Sequence, residues 1–280
     1  LQCKICNSEY SQNWIKDEQE IFGQVINVQN GKDWIDDTQN WKHIKDISTN
    51  LETLYLSGGE PLLLDNHIDL LQHLVDTGAA PNIWLKTHTN GTIRLSDKLL
   101  SLLQQFKSVQ LMYSIDDIDK RFEYQRPPVK WNKVRDNFLA AMQHDWIDLR
   151  INYTVSLLNC LSGTEFTKWC NDIGFPMEHV IVNFLRHPIY YELGILDNQQ
   201  KEFLMLHMGD SDIDQQVIKY MKTQYYSTVE NSDWRINSRE GLDNLRKYVI
   251  MSIDNKKNLD LHAVSPEIAE LINGRYLDNK

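Results

Sequence analysis

Cys3 and Cys6 stand at CxxC spacing in "LQCKIC". Two thiolates so placed supply half of an all-thiolate metal site, or form a redox pair. A second group of chemistry-bearing residues is "SGGEP", Ser57–Pro61. Two consecutive glycines, Gly58 and Gly59, let the backbone approach a ligand or take positive φ without a Cβ clash. Glu60 follows at the rim and Pro61 stiffens the exit. The same text also suits a plain strand-to-helix turn. It is not a phosphate loop, since no GK[ST] follows and no GxGxxG occurs. Further on come "THTNGT" (Thr87–Thr92), "YSIDD" (Tyr113–Asp117) and "NYTVS" (Asn152–Ser156). By the period of two in a strand, Ser114 and Asp116 share one face, and so do Asn152 and Thr154. Such residues either contact a ligand or satisfy a neighbouring backbone group. Arg126, in "YQRPPVKW", lies in a loop that two prolines fix, where a guanidinium can hold a carboxylate bidentately.

The elements that must position these residues alternate along the chain. "LETLYLSGG" (Leu51–Gly59), "NIWLKTHTNG" (Asn82–Gly91), "SVQLMYSID" (Ser108–Asp116), "DLRINYTVS" (Asp148–Ser156) and "HVIVNFL" (His179–Leu185) read as strands. Between them, Asp65–Gly78, Ser96–Phe106, Lys130–Asp145 and Thr164–Gly174 carry helical periodicity. Asp65 and Ser96 are the expected N-caps, and Gly78 and Gly174 the stops. Five strands alternating with helices over 51–185 predict a parallel α/β sheet, either a barrel or an open doubly wound sheet. In both, ligands bind at the C-terminal strand ends. Trp14–Asn50 reads as two polar helices around the "NVQNGK" loop, and the chain beyond about residue 197 reads as helices alone.

The 280 residues are 41% hydrophobic and 24% charged, enough to bury a core without staples. A formal net charge of −10 argues against non-specific nucleic-acid binding, which needs cationic groups against phosphates. No apolar run approaches the roughly 20 residues that span a bilayer. Four cysteines (positions 3, 6, 160 and 170) suit a reducing compartment, so the expected location is the cytoplasm.

In their order, these motifs resemble the radical S-adenosylmethionine (radical SAM) enzymes. A cysteine cluster comes first. A strand then ends in Gly58-Gly59-Glu60-Pro61, the next in Thr89-Asn90-Gly91, and a later one in Ser114-x-Asp116. The resemblance covers about residues 1–190 and is closest to members with a SPASM or twitch module. It implies a partial (β/α)6 TIM-like barrel over 1–190 and a helical C-terminal extension over 191–280. In the family's CxxxCxxC motif, Cys3 and Cys6 match the second and third cysteines, with Leu1 and Ile5 in the hydrophobic places. The first cysteine falls at the fourth position before Cys3, so the expectation is a chain that begins inside the motif.

The resemblance further implies a 4Fe-4S cluster held by thiolates and an S-adenosyl-L-methionine (AdoMet) chelated to its open iron. Reductive cleavage then gives a 5′-deoxyadenosyl radical that abstracts hydrogen from a substrate. Gly58, Gly59, Glu60 and Pro61 would meet the methionyl amino group, Ser114 the ribose or carboxylate, and Arg126 the methionyl carboxylate. Asn152 or Thr154 would face the ribose, and Ile5 the adenine. Implied partners are an unknown substrate, peptide or protein among the options, and an electron donor such as flavodoxin or ferredoxin. Neither nucleic acid nor membrane is expected. Cys160 and Cys170 form no second cluster motif, so any auxiliary cluster would come from upstream. The rival readings are a zinc site completed by Cys160 and Cys170, a thioredoxin-like pair, and a non-catalytic barrel that has lost its cluster.

Overall fold

The computed structural model describes residues 3–8, 13–23, 37–223 and 239–274. Leu1, the "NVQNGK" loop and the ends of the predicted tail helices lie outside the described residues. The five expected strands are β1 (Thr53–Leu56), β2 (Trp84–Thr89), β3 (Ser108–Ser114), β4 (Ile147–Val155) and β5 (Val180–Phe184). They form one sheet in the order β1-β2-β3-β4-β5. The β1–β2, β2–β3 and β3–β4 pairs are parallel, with Leu56 opposite Thr87, Thr89 opposite Tyr113, and Ser114 opposite Asn152. Along β4, buried and half-buried residues alternate without a break, as expected of a strand with one face in the core.

The helices are α1 (Asn13–Phe22), α2 (Thr38–Ser48), α3 (Asp65–Asp76), α4 (Asp97–Leu103), α5 (Asp119–Gln125), α6 (Trp131–Ala141) and α7 (Gly163–Asp172). Beyond β5 come α8 (Asn198–His207), α9 (Asp212–Thr223), α10 (Arg239–Lys257), α11 (Leu261–Val264) and α12 (Pro266–Ile272). Ser96 caps α4 by accepting the Leu99 N–H, as its position predicts. Asp65 does not cap α3. It occupies the first helical position, where its charge still favours the positive end of the helix dipole, and Leu64 is the cap residue. Gly78 and Gly174, at φ +73°, end α3 and α7.

The chain divides into two compact units. One comprises 28–115 and 129–152. Its core packs Leu70, Leu71 and Leu74 of α3 against Leu85 of β2, Val109 of β3 and Leu103 of α4. Each of these fully buried leucines contributes on the order of 2–3 kcal/mol from burial. The other unit is built from three stretches, 1–27, 116–128 and 153–280. It contains a small core of Trp14 and Ile21 from α1 with Val249 and Ile253 from α10, against which Cys6 packs. Among the described residues, no helix is long and apolar enough to cross a membrane.

Candidate functional site

In the first unit, the polar residues gather where β1 and β2 end. The segment after β1 turns through Gly58 at φ +140°, a conformation that strains any residue with a Cβ. A Cβ added at Gly58 or Gly59 would meet nothing within 4 Å, so this stretch of backbone borders open space. Pro61 and Leu62 are buried in a short 3-10 turn, Pro61–Leu63. The Pro61 carbonyl lies 3.0 Å from Nδ1 of the buried His67. Glu60, between turn and glycines, is only 9% exposed. Its Oε2 accepts the Asn90 N–H at 2.7 Å, and its Oε1 is buried with no hydrogen-bond partner. Burial pushes the carboxyl above its ordinary range, while the Asn90 N–H, the Thr89 hydroxyl and the nearby Leu62 N–H pull the other way.

The Asn90 N–H can reach Glu60 because β1 and β2 run parallel in register, ending side by side. Local bonds hold the turn that presents it. Asn90 Oδ1 accepts from the Thr92 N–H and hydroxyl at 2.9 and 2.6 Å. The Gly91 N–H donates to Thr89 Oγ1 at 3.0 Å, and Asn137 of α6 donates to the Gly91 carbonyl at 2.8 Å. Asn137 is a residue that the sequence reading missed. It occupies a buried position of an amphipathic helix, where a polar side chain must find a partner. Ser114, the last residue of β3, has Asn152 of β4 as its register partner, and both are half-buried.

The cysteines belong to the second unit. Cys3 is buried and Cys6 half-buried, in a tight turn closed by the Cys6 N–H on the Cys3 carbonyl at 3.0 Å. Trp14 Nε1 donates to the same carbonyl at 2.9 Å, and the Lys4 N–H donates to the Gln125 carbonyl at 2.8 Å. Ile5, between the cysteines, is half-buried. The two thiols face each other. A hydrogen bond from Cys6, assisted by the Arg126 charge, lowers the Cys3 thiol to about 6, and the same bond pushes Cys6 up. One thiolate therefore forms readily beside a guanidinium.

Arg126 itself is placed differently from the loop position read in the sequence. It is the C-cap of α5, a helix absent from that reading, and it is buried. Nε and Nη2 of Arg126 donate to Asp116 Oδ2, the first at 2.8 Å, and Nη1 lies 3.7 Å from Cys3 Sγ. β3 ends at Ser114, so Asp116 lies beyond the strand and the period of two does not extend to it. Its Oδ1 accepts the Thr154 N–H at 3.0 Å, and its carbonyl accepts from Asn159 at 2.6 Å. A buried carboxylate thus aims a buried guanidinium at the thiol pair.

Cys160 and Cys170 are buried, and burial raises both thiols, Cys170 to about 12. Among the described residues, no three His, Cys, Asp or Glu side chains come together to hold a metal ion. The donor set of Cys3 and Cys6 therefore suits a cluster only as part of a larger ligand set.

No protein-family model matches the chain, and no curated protein matches it. Solved structures do. One is polyhistidine-tagged anSMEcpe with bound AdoMet, from a radical SAM anaerobic sulfatase-maturating enzyme. It shares 16% identity at a TM-score of 0.50 over 72% of this chain and 53% of that one. Native anSMEcpe with bound AdoMet and Cp18Cys peptide matches at 16% identity and TM-score 0.45, over 59% of this chain and 49% of that one. Native anSMEcpe with AdoMet alone gives 17% and 0.43 over 58% and 48%. The chain spans about half the length of the structures it matches. At this identity the likeness is one of fold alone, a parallel α/β sheet.

Proposed function

We propose that this chain is the AdoMet-binding part of a radical SAM enzyme. The observation that carries the proposal is Glu60. Its Oε1 is buried and unpartnered, beside a Gly-Gly backbone that borders open space. An orphaned carboxylate oxygen costs about 1–3 kcal/mol or more, and a cationic donor would relieve it. The methionyl ammonium of AdoMet is such a donor, and the neighbouring glycine backbone suits its close approach. Ser114 and Asn152 would offer polar atoms to the ribose, with Thr154 the alternative to Asn152. Ile5 would pack on the adenine.

Cys3 and Cys6 would hold two irons of a 4Fe-4S cluster, with a further cysteine completing the set. When bound, that cluster supplies the electron that splits the sulfonium C–S bond of AdoMet. Arg126, locked by Asp116, would balance thiolate charge, and the reading that gives it the methionyl carboxylate requires it to share its donors. Residues 1–190 would form the catalytic core and 191–280 a helical extension. A flavodoxin or ferredoxin would deliver the electron. The substrate would be the donor of a hydrogen atom, with peptides and proteins among the classes to be screened.

The test is anaerobic expression of the complete gene product. It should carry roughly four irons per cluster and release 5′-deoxyadenosine when reduced with AdoMet. Glu60→Gln, with its cluster intact, should bind AdoMet roughly 10- to 100-fold more weakly through loss of a charge-assisted bond. A cluster-loaded protein without AdoMet affinity, or a Glu60→Gln variant that binds as wild type, would overturn the proposal.

A further inference from the structure

The residue between the two cysteines that the cysteine chemistry leaves unexplained is Lys4. Its side chain is 0% exposed, an unusual state for an ammonium. It is ion-paired with Asp254, on α10, and stands 3.5 Å from the centroid of the Tyr124 ring. Asp254 is held in turn. Its Oδ2 accepts the Tyr124 hydroxyl at 3.2 Å and the Leu261 N–H at 3.2 Å. α10 is anchored to the segment that follows the cysteines by further ties, a Lys256–Glu20 ion pair among them. Lys256 reaches Asp17 at 2.7 Å, Lys257 reaches Asp17 at 2.9 Å, and the Tyr248 hydroxyl donates to the Ile21 carbonyl at 2.7 Å. Cys6 packs on the apolar cluster that α1 and α10 share.

We infer that α10 is the platform of the cysteine turn, and that Asp254 is a positioning residue acting through Lys4. The ammonium hooks the turn from behind, because a buried cation stays buried only while its carboxylate is present. With the Trp14 indole and the Gln125 carbonyl on the main chain, this hook sets where the two thiols stand. The tail beyond β5 is then part of the cysteine site. The bearing of this on cluster chemistry rests on the radical SAM reading. The placement of the turn does not, and the test is made without cluster.

Amide hydrogen exchange by mass spectrometry, on the chain as it stands, reads the opening of residues 3–8, with residues 160–170 as the control. Asp254→Asn leaves an uncompensated buried ammonium and should speed exchange of the turn at least about tenfold while the control is unchanged. Lys4→Met/Asp254→Asn removes that charge and should return exchange to within about threefold of wild type. A role in merely folding α10 would not be rescued by a substitution at Lys4. Wild-type exchange in Asp254→Asn, or failure of the double variant to rescue it, overturns the inference. Should Asp254→Asn also expose the control, Lys4→Met is read alone. It leaves Asp254 bonded to Tyr124 and Leu261, and the inference requires measurably faster exchange of residues 3–8 alone, with unchanged exchange overturning it.

Discussion

Replacing Gly91 by Ala tests whether the turn that serves Glu60 is as tightly built as its geometry requires. Two costs arise. Gly91 has φ +75°, and holding an L-residue there costs about 1–2 kcal/mol. The added Cβ would also lie 2.7 Å from Cγ1 of Val134 and 3.0 Å from Cδ1 of Tyr113. Both neighbours are buried, at 0% and 1% exposure, so neither can swing into solvent. Overpacking of this kind costs about 1–3 kcal/mol. The sum is about 2–5 kcal/mol. Gly78→Ala separates the two terms, because Gly78 has φ +73° with nothing within 4 Å of its added Cβ. It should lose only the backbone cost, about 1–2 kcal/mol. Urea denaturation of both variants measures the difference, provided the m-value is unchanged. Val134→Ala placed in the Gly91→Ala background removes the clashing methyl, so the pair should couple favourably in a double-mutant cycle. Equal losses in Gly91→Ala and Gly78→Ala, with no coupling to Val134, would refute the reasoning.

Two further predictions concern the second unit. Asp117 is fully buried, and burial raises its carboxyl from 3.8 to about 6 against the pull of Arg121, the Ile118 N–H and the Ser162 hydroxyl. A carboxyl raised in the fold keeps its proton longer folded than unfolded. Its favourable contribution is therefore complete below pH 3.8 and lost as pH rises through about 6. The stability of wild type relative to Asp117→Asn should fall by about 2 kcal/mol between pH 4 and 7, out of about 3 kcal/mol over the full titration. A pH-independent difference in urea titrations would contradict this. Asp116→Asn leaves Arg126 buried without its carboxylate and should cost about 3–5 kcal/mol, whereas Asp116→Leu/Arg126→Met should cost less. Equal losses, compared by denaturation midpoint and slope, would show that the pair is not a desolvated ion pair.

The alternation of strands and helices was legible because the strands are short apolar runs, three of them closed by Gly or Asp, and the helices between them carry apolar residues at helical spacing. α5 was not legible. "DKRFEYQ" is short, mostly charged, and followed by two prolines, so it lacks the periodicity that marks a helix. That omission hid the main fact about Arg126. A helix of seven residues carries the chain back, so that residue 126 meets residue 116. Glu60 and Asn90 were each visible as strand-end residues. Their bond depends on the parallel register of Leu56 with Thr87, which no local pattern encodes. Lys4 and Asp254 are 250 positions apart, beyond any spacing rule. Asp65 shows the opposite error, since an N-cap residue type one position late becomes the first residue of the helix.

The three-stretch construction of the second unit has a consequence for biosynthesis. The cysteine turn is among the earliest parts of this sequence to leave the ribosome, yet Asp254 is made 250 residues after Lys4. At about 5–20 residues per second, that is a delay of roughly 12–50 s. Throughout it, Lys4 lacks its carboxylate and both thiols are displayed on an unfinished chain. Asp116 and Arg126 arrive midway through that interval, and α10 closes it. The hook that places the cysteine turn is therefore closed late, after Asp116 and Arg126 are already in the chain.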